Sequence, residues 1–335
     1  MRITQELLLK LARDNVQKLL RLNKDVVAVY MTGSILTPEP LLGGTTDIDL
    51  VFVHKEQPPV KREIVRISYE VSLDIVHHQQ SVYSFHRRLR LNPWLGRALT
   101  THASILHDTD YWLEYIQSGV SAQYNNPENI FGRAQPMAEK ARTIWFDLEE
   151  PQEYEVHVWF EQYFRAVGLA ANALAALNGP ALPTRRFLIE FPQRAEALGQ
   201  PGLYQSLLGL IGADLVSHEH CTTWREAWQS ALVAASKARN CPPDLHSARK
   251  AYYLQSCDAM LESGSYQAAF WPMLDTWSQA VKVLWEEIPH REAWLAFCEE
   301  LGFVPDHYKA RVASLDAWLD TVELILDNWK NEYGI

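Results

Sequence analysis

Residues 31–54 read MTGSILTPEPLLGGTTDIDLVFVH, an apolar segment, a Gly-Ser pair, a loop with two prolines and two glycines, and a second apolar segment. The second segment carries two aspartates one residue apart, Asp47 and Asp49. Side chains alternate along a strand, so these carboxylates share one face and Ile48 and Leu50 the other. Two ionised carboxylates this close repel one another, and burial adds a desolvation cost. A cation between them removes both penalties. Hard oxygen donors suit magnesium, which binds one or two carboxylates together with substrate phosphates.

On the N-terminal side, DVVAVYMTG is a short apolar run bounded by charge and glycine, the pattern of a buried strand. Before it, residues 3–22 space Ile3, Leu7, Leu11, Val16, Leu19 and Leu20 along one helical face. On the C-terminal side, EIVRISYEVSLDIVHH holds one or two further strands. Within it Glu70, Ser72 and Asp74 share a face, and same-face neighbours lie about 6.6–6.8 Å apart. Only one acid can then lie level with the Asp47–Asp49 pair. Asp74, flanked by apolar residues, is that acid, and Glu70 falls toward the strand end. A third carboxylate permits a two-metal site with ions about 3.5–4 Å apart. SVYSFHRRLRLNPWLGRAL reads as one helix, and ASILHDTDYWLEYIQSG as a short strand with a closing helix. From Pro127 onward helical periodicity dominates. The expected organisation is an α/β (α+β) domain with a small mixed sheet over residues 1–122. An all-helical bundle follows over 123–335, divisible near residue 242.

At 47% hydrophobic and 21% charged residues, the chain has ordinary globular composition and material for a sizeable core. Its formal charge of −10 argues against stable nucleic-acid binding, which needs basic surface to neutralise phosphates. Four scattered cysteines without CxxC spacing read as reduced thiols of a cytoplasmic protein. No apolar run is long enough to predict a membrane span.

Strand, Gly33-Ser34, twelve residues, Asp47-Ile48-Asp49-Leu50 and a later-strand Asp74 together resemble the polymerase-beta-type nucleotidyltransferase superfamily. The resemblance is to its minimal and aminoglycoside nucleotidyltransferases, which pair such a domain with a C-terminal helical bundle. It covers about residues 10–120 by motif and element order. It implies transfer of a nucleoside monophosphate, AMP from ATP first among candidates, to a hydroxyl of a small acceptor such as an aminoglycoside-like antibiotic, with release of pyrophosphate. Carried over, Gly33 and Ser34 hold the triphosphate. Asp47 and Asp49 bind magnesium, two ions being expected. Asp74 completes the metal site or acts as base, making Asp47, Asp49 and Asp74 the catalytic set. Thr46 stands where the family often has serine. Lys140, Arg142, Arg185 and Arg186 are basic residues available to a triphosphate from the helical half, with Lys140 and Arg185 the first choices. Adenylylation of a protein or of tRNA, and a non-catalytic nucleotide-binding module, are the alternatives.

Weaker signals have plainer explanations. Arg97 and His102 match an R-x4-H ribonuclease pattern, but inside the first domain rather than the bundle. His218 to Cys221, HEHC, lacks a second ligand cluster at zinc spacing and reads as a loop before a helix. His77 and His78 fit a polar strand end. The acidic run 147–155 is a helix-to-helix turn that could also attract a polycationic acceptor.

Overall fold

The computed structural model describes residues 3–100, 104–149, 154–214 and 216–335. It divides into two compact units, residues 1–126 with 248–256, and residues 127–247 with 257–335. The first is an α+β unit around one small mixed sheet. Every described helix or strand of the second is helical.

Helix α1 (Gln5–Leu22) opens the first unit, its N-cap Thr4 accepting from Leu7 N. Strands β1 (Val26–Thr32), β2 (Thr46–His54), β3 (Arg62–Arg66), β4 (Val71–Gln79) and β5 (Ile105–Asp108) follow. They assemble in the order β3-β4-β2-β1-β5. The β2–β4 pair is parallel, and the β1–β2, β1–β5 and β3–β4 pairs are antiparallel. Alternation on β2 sorts the two faces. Ile48, Leu50 and Phe52 pack with Leu8, Ala12 and Val16 of α1, whereas Val51 and Val53 pack with Tyr83, Leu89, Leu113 and Val120 on the other face. Asp47 and Asp49 continue the second face beyond its apolar half.

The segment expected as one helix after β4 is instead a 3-10 turn over 80–83 and two short helices, α2 (His86–Arg90) and α3 (Leu95–Ala98). Pro93 explains the break. It lacks an N–H and disfavours helical backbone at Asn92. Asn92 Oδ1 then accepts from Trp94 N and Leu95 N, restarting the chain as a capping residue does. Helix α4 (Trp112–Ser121) closes this side, with Asp108 accepting from Leu113 N and Glu114 N at its start.

The second unit contains α5 (Pro127–Glu149), α6 (Val156–Ala175), α7 (Phe187–Ala197), α8 (Gly202–Leu210) and α9 (His218–Ala235). Helix α10 (Lys250–Glu262) begins among the residues of the first unit, and α11 (Tyr266–Leu284), α12 (Ile288–Glu300) and α13 (Pro305–Tyr333) complete the second. Its core is aromatic. Trp277 lies 5.6 Å from Trp294 and 4.6 Å from Phe297, and Trp294 meets Phe160 edge-on at 5.0 Å. Trp228 Nε1 donates to Thr276 Oγ1 at 2.9 Å, whereas the buried N–H groups of Trp277 and Trp294 have no hydrogen-bond partner among the described residues. No helix among the described residues is long and apolar enough to cross a membrane. All four cysteines are unbridged.

Candidate functional site

The parallel register of β2 and β4 sets Asp49 directly beside Asp74 and Asp47 beside Ser72. A ligand oxygen from each of Asp47, Asp49 and Asp74 lies within 4.8 Å of the other two. Asp47 and Asp74 are buried and Asp49 is half-buried. Glu70 is excluded from this group. It precedes β4, in the turn where Ser68 Oγ donates to its carboxylate at 2.9 Å.

Beyond β1 the chain turns through a 3-10 segment, Gly33–Leu36. Gly33 has φ +75°, and a Cβ built on it would lie 1.8 Å from Asp49 Oδ2. The carboxylate therefore rests against bare backbone. Ser34 Oγ lies 3.3 Å from Thr46 Oγ1, whose hydroxyl donates to Asp47 O at 3.0 Å. Gly33, Ser34, Thr46 and the three acids form one cluster.

Two arginines that sequence reasoning missed complete it. Arg62 of β3 donates from Nε to Asp74 Oδ1 at 2.8 Å and from Nη2 to Asp74 Oδ2 at 2.6 Å. Arg249, also buried, donates from Nη1 to Asp74 Oδ2 at 2.6 Å and from Nη2 to Asp47 Oδ2 at 2.9 Å. Asp49 pairs with no cation among the described residues. Burial, then the charges of Asp47 and Asp74, push its carboxyl well above the usual range, and Arg249 and Arg62 oppose the shift. Hard oxygen donors gathered around one under-neutralised carboxylate fit a divalent cation.

No family model and no curated protein matches this chain.

The remaining sequence candidates lie elsewhere. His77 Nδ1 is 2.8 Å from His54 Nε2, and His54 Nδ1 is 3.0 Å from Asp25. His78 Nδ1 is 2.8 Å from the Tyr83 hydroxyl. Both histidines are thus engaged away from the acid cluster. Lys140, Arg142, Arg185 and Arg186 belong to the second unit. Lys140 is exposed on α5, and Arg185 is buried in the 184–186 turn beside Arg186. Arg142 is held by three acids of α13, at 2.7 Å from Asp320 and 2.8 Å from Glu323, with Asp316 the third.

His218 to Cys221 form the first turn of α9 rather than a loop. His220 accepts from Ser217 N while Ser217 Oγ accepts from His220 N, a capping box with histidine in the usual Glu or Gln place. Arg97 is exposed on α3, and His102 lies outside the described residues, as do residues 150–153 of the acidic run.

Arg62 becomes visible only with the strand register. It sits two residues from Ile64, the β3 partner of Asp74, within diagonal cross-strand reach. For Arg249 no local signal exists, because 175 residues separate it from Asp74.

Proposed function

We propose that the chain is a divalent-cation-dependent nucleotidyltransferase that moves a nucleoside monophosphate from a nucleoside triphosphate to an acceptor hydroxyl. One observation carries this reading. Three carboxylates converge within 4.8 Å of one another in a small mixed sheet, and one of them, Asp49, lies against Gly33 in the turn after β1. Asp47, Asp49 and Asp74 would hold magnesium, which neutralises phosphate charge and orients the phosphates for in-line displacement. The bare backbone at Gly33 lets phosphate oxygens approach closely, and the Ser34 hydroxyl can donate to them. Burial and the two neighbouring carboxylates push the Asp49 carboxyl above the usual range, and a cation among the three acids would oppose that shift. Asp74, positioned by two arginines, would either complete the metal site or accept the acceptor's proton. Positioning and charge neutralisation account for the rate, since phosphoryl chemistry asks little covalent help of a protein.

Within this reading AMP from ATP is the favoured transfer, the acceptor is a small hydroxyl-bearing molecule, and the enzyme works in the cytoplasm. The net charge of −10 favours a small cationic acceptor over tRNA. The test is pyrophosphate release with each of the four nucleoside triphosphates, magnesium and panels of aminoglycosides, lincosamides and purified tRNA. Asp49→Asn should lower turnover by at least ~10²-fold while leaving the fold intact, because an amide relieves repulsion but binds a divalent ion poorly. Near-native turnover of Asp49→Asn in magnesium would sink the proposal.

A further inference from the structure

Arg249 spans the acid cluster from inside. Its two terminal nitrogens reach Asp47 Oδ2 and Asp74 Oδ2, two of the three carboxylates a cation would use. The segment that carries it is seated by more than this contact. The Arg249 guanidinium carbon lies 4.9 Å from the Tyr252 ring centre and 5.7 Å from that of Tyr253. At Gln255 the backbone lies against Gly43, where a Cβ would stand 2.1 Å from the Gln255 carbonyl oxygen.

Resting on the metal-centre reading above, we propose that Arg249 is an internal competitor for the divalent cation and sets the cation affinity of the cluster. Lone pairs and charge both point this way. Asp74 Oδ2 accepts from Arg249 Nη1 and from Arg62 Nη2, which fills the lone-pair directions of that oxygen. A cation can take it only if one donor leaves. Asp47 Oδ2 is engaged by the same guanidinium, so withdrawal of Arg249 opens a lone pair on each of the two acids, whereas withdrawal of Arg62 opens lone pairs on Asp74 alone. The two guanidiniums already balance the charges of Asp47 and Asp74, and Asp49 stands beside them without an ion-pair partner among the described residues. Without Arg249, Asp47 loses its counter-charge, and a divalent ion can supply it. A guanidinium is permanently charged, so the competition persists across the physiological pH range. Cation binding therefore exchanges one counter-charge for another and is weaker than three converging carboxylates would otherwise give.

The experiment needs no turnover. Mn2+ is titrated into full-length protein without nucleotide, and free Mn2+ is counted by electron paramagnetic resonance. Wild type is compared with Arg249→Met, which keeps an apolar stem, and with Arg249→Lys, whose single ammonium cannot bridge both acids in the same fork. Arg249→Met should bind Mn2+ at least about tenfold more tightly, since two charge-assisted hydrogen bonds no longer compete. Arg249→Lys should fall between the two. The Mn2+-dependent rise in melting temperature should follow the same order. Should Arg249→Met fail to fold, Arg249→Lys against wild type decides alone, with tighter binding expected. Equal or weaker Mn2+ binding by the variants overturns the inference and leaves the metal centre standing. Absence of Mn2+ binding by every chain overturns both.

Discussion

A methyl group at Gly33 would meet Asp49 Oδ2 at 1.8 Å, on a backbone whose φ of +75° already disfavours any side chain. Gly33→Ala must therefore displace the carboxylate as well as strain the turn. We expect it to cost about 1–3 kcal/mol of stability and to weaken Mn2+ binding, read by urea unfolding and by titration. A variant with native stability and native Mn2+ affinity would show that the turn does not support the acid. The residues of this cluster differ in how far sequence reveals them. Asp47, Asp49 and Asp74 are legible because a period of two in apolar strands exposes any charge as an exception. Gly33 is legible as a turn after a strand. The contact that demands a glycine there is tertiary and cannot be read from spacing. Arg249 is the extreme case, in a stretch, ARKAYY, that reads as ordinary helix.

Strand β2 is the element on which the first unit depends, because it is central, pairs with β1 and β4, and buries both its faces. Leu50 is fully buried between α1 and the sheet, one residue from Asp49. Truncating it to alanine should destabilise the unit by about 2–5 kcal/mol through lost burial and a residual cavity. Denaturant melts followed by far-ultraviolet circular dichroism check this, and a loss below about 0.5 kcal/mol would mean that the site collapses without cost. Elements were readable where pattern and punctuation agree. β1, β2 and α1 have uninterrupted patterns with polar or glycine boundaries. Residues 81–99 do not, since a helical pattern runs through Pro93 and only the Asn92 cap shows that the chain stops and restarts. Helices α7 and α11 reverse that lesson. Pro192 and Pro272 sit inside them, so a residue that normally marks a boundary hides a continuous helix.

For the whole molecule, pH brings many small effects into one measurement. The chain carries −10 at pH 7 and so repels itself increasingly as pH rises above its isoelectric point near 5.7. Asp275 on α11 acts in the same direction. Burial pushes its carboxyl up to about 6, assisted by the charge of Asp244 and opposed by hydrogen bonds from Gln279 and Thr184. Its folded value lies above the unfolded one, so the native state binds the proton more tightly. The stability it contributes is complete below the unfolded value, near 4, and is lost as pH rises through about 6. Wild type should then be more stable at pH 5 than at pH 7.5. Asp275→Asn should flatten that difference by on the order of 1–3 kcal/mol, measured as denaturation midpoints across the range. An unchanged pH slope in the variant would remove Asp275 from the account.

The return of residues 248–256 to the first unit also has a consequence in time. Chains are made from the N-terminus at about 5–20 residues per second, so Arg249 emerges about 10–35 s after Asp74, which precedes it by 175 positions. Of the two arginines that pair with the acids, Arg62 is therefore made before Asp74 and Arg249 long after it. All three acids thus exist in the growing chain well before their second arginine does, and the first unit cannot be completed until residues 248–256 have been made.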